Sequence, residues 1–379
     1  MFSDAERARR LKKLNEVMES RGLDAIYLPG NSTVGTNAYG DYRYLTDNRV
    51  IFYLSNVIMP RGGEPIGVAA NTMSKVMLTQ KTFVKDVVID LDQLNGIIGI
   101  LKQACSEDST VGTLLEVLPA AWLKRIHSEL PKVRFVDITN DMFLVRMDKS
   151  AEEVEAQRVC GRIADAGYRA VCEALRPGMY ENEVIALLDR EMQRMGSEES
   201  FSLITSGGFN SQTGDLPALH NCAASNRRIE AGDVLAMEIT PRYYGYWCQL
   251  VRTICVGSKN EAVDEFRGVV CRAIAEATKI LKPGVKIGEL YDAMKASVEA
   301  EGYRMAMPCG HICAMDLNEE RITPNNERPV LEGMVVILHP TVLKNEMETG
   351  IYWGESYLVT SDGCEALAGE SSLLEVTKG

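Results

Sequence analysis

One phrase occurs twice in this chain, and it constrains the fold more than any other feature. Leu175-Arg-Pro177-Gly178 is followed by Glu183-Val184 and Met195-Gly196; Leu281-Lys-Pro283-Gly284 is followed by Glu289-Leu290 and Glu301-Gly302. The Pro, the Gly, the Glu and the closing Gly all recur at an offset of 106 residues. Proline cannot continue a helix and glycine caps one, so each copy predicts a helix that stops, a second helix and then strands. Two such halves, related by a pseudo-twofold axis, predict strands packed into one curved sheet with helices on one side. The fold class is therefore α+β, and the cleft on the inner sheet face between the halves is the expected ligand site.

The repeat does not fill the chain. At 379 residues the protein is long for a single hydrophobic core, which predicts two domains. Lys149-Ser150-x-x-Glu153 reads as a capping box opening a long helix, with Val154, Ile163, Ala164, Val171 and Leu175 along its apolar face. The expected division is residues 1–148, a smaller α/β domain, and residues 149–379, the repeat-bearing domain. Within the first, Leu11 to Met18 reads as helix, and Asp24 to Leu28, Phe52 to Leu54, Ile66 to Ala69 and Pro131 to Val136 as strands.

Composition excludes several classes of partner. Charged residues make up 25% and hydrophobic residues 46%, ordinary globular values, and the formal net charge of −12 argues against a nucleic-acid partner. No apolar run has the length of a membrane span, and the charged N-terminus lacks the apolar segment of a signal peptide. The expected location is cytoplasmic, with the ten scattered cysteines as reduced thiols. Cys309-Gly-His311-Ile-Cys313 places three potential ligands along a strand but lacks a fourth nearby for structural zinc.

Chemistry concentrates in the second domain. Leu235 to Thr253 alternates like a β-hairpin; a turn centred on Tyr243 and Tyr244 predicts Glu238 directly across from Gln249. His127 reads as a solvated helix residue, whereas His220, His311 and His339 lie in strand-like or turn-like settings. Glu355 follows in GIYWGESYLV. Buried carboxylates are costly unless paired or coordinating, so two acids and three histidines in one domain read as a site.

These residues, the Lys149-Ser150-x-x-Glu153 entry, the Pro-Gly repeat and the Gly245-Tyr246…Val251-Arg252-Thr253 hairpin resemble the M24 "pita-bread" family of methionine aminopeptidase, X-Pro aminopeptidase, prolidase and creatinase. RGLDAIYLPG and YRYLTD resemble the N-terminal domain of the creatinase/prolidase branch. The resemblance implies a two-metal site with Asp, Asp, His, Glu and Glu ligands, which fall here on Glu238, Gln249, His311, His339 and Glu355. Only His311 and Glu355 keep the family residue. The resemblance therefore implies a creatinase-like hydrolase cleaving a C–N bond of a small nitrogen-containing compound without a dinuclear metal centre. His220 is then the general acid/base, with Glu238 and Glu355 catalytic and with Gln249, His311, His339 and Phe52 binding substrate. No cofactor is expected on that reading. One divalent ion on Glu238, His311, His339 and Glu355, serving a lyase or an X-Pro-type aminopeptidase, is the alternative, and a non-catalytic binding module a second. The resemblance also implies a homodimer, with Phe52 of the partner's N-terminal domain closing the site.

Overall fold

The computed structural model describes residues 2–31, 36–37, 40–49, 54–80, 82–208, 223–344 and 349–369. Two of the expected site residues, Phe52 and His220, lie outside them. The chain divides into two compact units, Met1–Glu152 and Glu153–Gly379.

In the first unit, helices and strands alternate: α1 (Asp4–Arg21), β1 (Ala25–Asn31), α2 (Gly40–Thr46), β2 (Leu54–Pro60), β3 (Ile66–Ala69), α3 (Thr72–Thr79), β4 (Asp86–Ile89), α4 (Gln93–Ala104), β5 (Thr110–Thr113), α5 (Ala120–Glu129), β6 (Arg134–Asp137) and α6 (Thr139–Met147). The strands form one mixed sheet in the order β4-β3-β2-β1-β5-β6. Its core includes Tyr27, Ile58, Val68, Ile97, Leu101, Val111 and Ile126, contributed by both the sheet and the covering helices. His127 is exposed on α5, edge-on to Phe135.

The second unit runs α7 (Ala151–Ala174), α8 (Glu181–Arg194), β7 (Glu199–Ser200), β8 (Leu203–Gly208), β9 (Asp233–Ile239), β10 (Pro241–Tyr243), β11 (Tyr246–Trp247) and β12 (Leu250–Cys255). The second half follows as α9 (Glu261–Ile280), α10 (Ile287–Ala300), β13 (Arg304–Ala306), β14 (Gly310–Cys313), β15 (Glu320–Arg321), β16 (Val335–Leu338), β17 (Thr341–Lys344), β18 (Thr349–Ile351), β19 (Glu355–Val359) and β20 (Cys364–Ala366). The repeat holds at the level of single hydrogen bonds. Glu183 accepts from the Tyr180 N–H at 2.7 Å at the start of α8, and Glu289 accepts from the Lys286 N–H at 2.8 Å at the start of α10. Gly178 and Gly284, with φ of 97° and 91°, each turn the chain between helices in a region a side chain would strain. In each half two helices are followed by strands, as the spacing predicts.

The expectation of one curved sheet is corrected. Among the described residues the strands of this unit form four hydrogen-bonded sheets: β11-β10-β7, β12-β9-β8, β13-β17-β18 and β15-β14-β16-β19-β20. The halves join where the Val251 and Gly354 backbones exchange hydrogen bonds of 3.0 Å in both directions. The Thr253 hydroxyl adds a bond of 2.7 Å to the Tyr352 carbonyl. Core residues from both halves, including Ile163, Leu188, Met237, Ile254, Val335 and Ile337, make one cluster under this junction. No described helix is long and apolar enough to cross a membrane. All described cysteines are free thiols.

Candidate active site

The described site residues stand in three local groups, Glu238 with Gln249, His311 with His339, and Glu355 with Arg252, and the first is not in the expected register. The ladder between β9 and β12 pairs Glu238 with Val251, not with Gln249, and Tyr243 pairs with Tyr246. The turn is therefore centred on Tyr244 and Gly245, whose φ angles of 46° and 84° are those of a tight hairpin turn. Glycine suits the second of these positions, and the reading centred one residue earlier missed it. Moving the centre by one residue moves the register by two, and a shift of two keeps every side chain on its face. Gln249 therefore stays on the face of Glu238 as a diagonal neighbour, within reach of a long side chain. Its Nε2 donates to Glu238 Oε1 and lies 3.5 Å from Thr240 Oγ1.

Both residues are buried, Gln249 at 1% exposure and Glu238 at 8%. Gln249 Oε1 has no hydrogen-bond donor, an uncommon state for a buried acceptor. Ser356 anchors the Gln249 backbone from the other half, accepting from its N–H at 3.1 Å and donating to its carbonyl at 2.7 Å.

The second half supplies the imidazoles. His311 lies on β14, and His339 directly follows β16, its N–H donating to the Cys309 carbonyl at 3.1 Å. Antiparallel pairing of β14 with β16 brings the two rings to a centroid distance of 5.4 Å. Tyr352 closes the group, with its hydroxyl 3.2 Å from His339 Nδ1. Burial pulls His311 down to about 4, and burial together with His311 pulls His339 down to about 3. Both rings are neutral at neutral pH. His311 borders a cavity of about 450 Å³ lined also by Met307, Pro308, Gly310, Asn318 and Arg321.

Glu355, at the start of β19, is held from two sides. Arg252 Nη2 donates to Oε1 at 3.0 Å, and the Tyr357 hydroxyl donates to Oε2 at 2.7 Å. Arg252 is fully buried, donates through Nη1 to the Val251 and Gly354 carbonyls, and stacks over Trp353 at 4.2 Å. The sequence reading quoted Arg252 only as part of a motif and passed over Tyr352, Ser356 and Tyr357. Their roles depend on contacts between the halves that no local spacing announces.

The described residues do not suit a metal pair. No group of three His, Cys, Asp or Glu side chains among the described residues lies clustered as metal ligands would. The Cys309 thiol instead donates to the Ile322 carbonyl and the Cys313 thiol to the Trp247 carbonyl. Glu238 is engaged by an amide, and Glu355 already faces a guanidinium.

The neutral imidazoles carry a stability prediction. An unfolded histidine titrates near 6.5, so below that pH the unfolded chain binds protons that the folded chain refuses until about pH 4 and 3. Stability is present in full above pH 6.5 and falls as pH drops towards 4, by up to about 1.4 kcal/mol per pH unit for each ring. Urea midpoints at pH 7, 6 and 5 should fall less steeply for His339→Gln than for the wild type. Parallel slopes would mean that the ring is charged in the folded protein.

Comparison with known proteins places these features in a family. Residues 155–361 match metallopeptidase family M24, and residues 10–147 match the creatinase/prolidase N-terminal domain. The chain is 26% identical over 368 residues to an Xaa-Pro dipeptidase of Pyrococcus horikoshii, covering 94% of this chain and 96% of the relative. It is 25% identical over 374 residues to a creatinase of a Bacillus species, covering 92% and 86%. Among solved structures, the X-Pro aminopeptidase from Thermotoga maritima superposes with a TM-score of 0.84 over 97% of this chain and 99% of that one. Its 22% identity speaks to the fold alone.

Proposed function

Because this chain belongs to metallopeptidase family M24 and carries the creatinase/prolidase N-terminal domain, we propose that it hydrolyses a C–N bond of a small nitrogen-containing compound without a dinuclear metal centre. The coarser statement stands on kinship: it is a hydrolase of the prolidase/creatinase type acting on carbon–nitrogen bonds. The metal-free reading rests on one observation, the Gln249 amide spent on Glu238 where the family resemblance puts a carboxylate bridging two ions. An amide brings no charge, and two dications roughly 3.5–4 Å apart repel strongly unless carboxylates offset them.

In the proposed reaction, water adds to the carbon of the scissile bond, a C–O bond forms and the C–N bond breaks. His220 takes the proton from water and delivers it to the departing nitrogen. Glu238 and Glu355 orient the substrate, and Gln249 Oε1 accepts from a substrate N–H. The cavity beside His311 has a volume suited to a small ligand.

Elemental analysis of protein purified without chelators tests this directly. The expected result is well under two ions per chain, with activity surviving EDTA. About one ion, with activity lost on chelation and restored by one divalent metal, would favour the mononuclear alternative. Two tightly held ions would return the protein to the dinuclear peptidases. We also propose that the active unit is a homodimer, with Phe52 of the partner reaching the site.

A further inference from the structure

The two halves of the second unit dock their returning chain with the same backbone bonds. Helices α8 and α10 begin and end at residues offset by the same 106 positions. In the first half the Glu181 and Asn182 N–H groups donate to the Arg227 and Ser225 carbonyls at 3.1 Å each. In the second, the Ile287 and Gly288 N–H groups donate to the Arg328 and Asn326 carbonyls at 2.9 Å each. Gly178 and Gly284 add matching bonds to the Ile229 and Val330 carbonyls, at 2.8 and 2.9 Å. Glu183 and Glu289 cap the two helices alike.

One position breaks the likeness. Glu181 stands where the second half has Ile287, and both side chains are buried. A buried carboxylate is costly where isoleucine serves, so the charge meets a need that the second half lacks. Its hydrogen bonds identify that need. Oε1 accepts from the Ser206 N–H and hydroxyl at 2.7 Å each, and Oε2 from the Ser225 N–H at 2.9 Å and hydroxyl at 2.6 Å. Both serine oxygens are themselves held. Arg227 Nη1 donates to Ser206 Oγ at 2.7 Å and to Asp233 Oδ2 at 2.6 Å, and the Arg227 N–H donates to Ser225 Oγ at 3.0 Å. Each hydroxyl proton is thereby aimed at Glu181. Burial pushes the Glu181 carboxyl up, but the hydrogen bonds from Ser225 and Ser206 outweigh it and hold the group below its ordinary value. Glu181 is therefore an ion with two donors on each oxygen. Ser206 lies on β8 and Ser225 beyond it, and in the sequence these two serines bracket His220.

We propose that Glu181 is a positioning residue for the proton carrier: it grips the chain on both sides of His220 and so sets where that imidazole stands. The role rests on His220 as the acid/base of the proposed function. Glu181 touches no reacting atom and acts only through Ser206 and Ser225. Reaction rates are sensitive to such placement, since a misplacement of about 1 Å can cost on the order of 10² in rate.

NMR of the histidine-labelled full chain tests this without a ligand. The chain has four histidines, and the His220 signal is the one missing from His220→Ala. In Glu181→Gln the His220 signal is expected to move or split while those of His127, His311 and His339 hold. On any substrate the enzyme turns over, kcat should fall roughly 10–100-fold with KM little changed. Ser225→Ala removes one hydroxyl and keeps the backbone bonds, so it should shift the same signal by less; it decides the matter if Glu181→Gln does not fold. A His220 signal unmoved in the folded variants overturns the role of Glu181 and leaves His220 as the proton carrier. All four signals moving together would mark a general loosening and overturn it equally. A His220 signal that moves, with His220→Ala turning over substrate at the wild-type rate, overturns the proton carrier instead.

Discussion

Replacing His220 by alanine is expected to lower kcat by at least ~10² on any substrate the enzyme turns over, with stability changed by no more than about 1 kcal/mol. The family resemblance puts a proton-handling histidine at this position, and the described site supports the choice by what its other imidazoles can do. A general acid/base works best with a pKa near the working pH. His311 and His339 are held at about 4 and 3 by burial, so neither gains a proton near neutrality. His127 is exposed in the first unit, on α5. A pH–rate profile supplies an independent reading: the limb of kcat/KM belonging to the proton carrier should vanish in His220→Ala and persist in His339→Gln. Turnover in His220→Ala comparable to that of the wild type would end the assignment.

Much of the fold was legible because it is written in residues with backbone roles. Gly178 and Gly284 recur since each occupies a positive φ between helices, and Glu183 and Glu289 recur since each caps a helix start. Such requirements fix residue type locally, so a repeat shows through even where the core has drifted. The hairpin register was less legible. Tyr244 takes a positive φ although it is neither Gly nor Asn, so the residue types pointed to the wrong turn centre. The partnership of Glu238 and Gln249 survived because the error was even. The division of that sheet into separate ladders was not legible, because hydrogen bonding between strands depends on where the ladder breaks at Pro241 and Gln249. Nor was the setting of Glu355, whose partner Arg252 comes from the other half, 103 residues away in sequence.

That setting leads to the largest stability effect expected in the second unit. Arg252→Met should cost about 2–4 kcal/mol, below the upper end for a fully buried ion pair because the Glu355 side chain keeps 22% exposure. The side chain is fully buried and does three things at once: it neutralises Glu355, satisfies the Val251 and Gly354 carbonyls, and packs on Trp353. Methionine keeps the apolar stem but leaves the carboxylate with the Tyr357 hydroxyl and no counter-charge, and the carbonyls without this donor. Because Val251 and Gly354 form the bridge between the halves, the loss falls on the seam that aligns Glu238 and Gln249 with Glu355. A double-mutant cycle separates the charge from the packing. If the uncompensated carboxylate dominates, Glu355→Gln added to Arg252→Met should recover a substantial part of the loss, since a neutral amide is cheaper to leave buried than an ion. If the carbonyls and the Trp353 contact dominate, the double variant should be no more stable than Arg252→Met alone. Urea unfolding of the four proteins gives the coupling directly. A cost below about 1 kcal/mol for Arg252→Met would show that Arg252 is not what binds the two halves at the site.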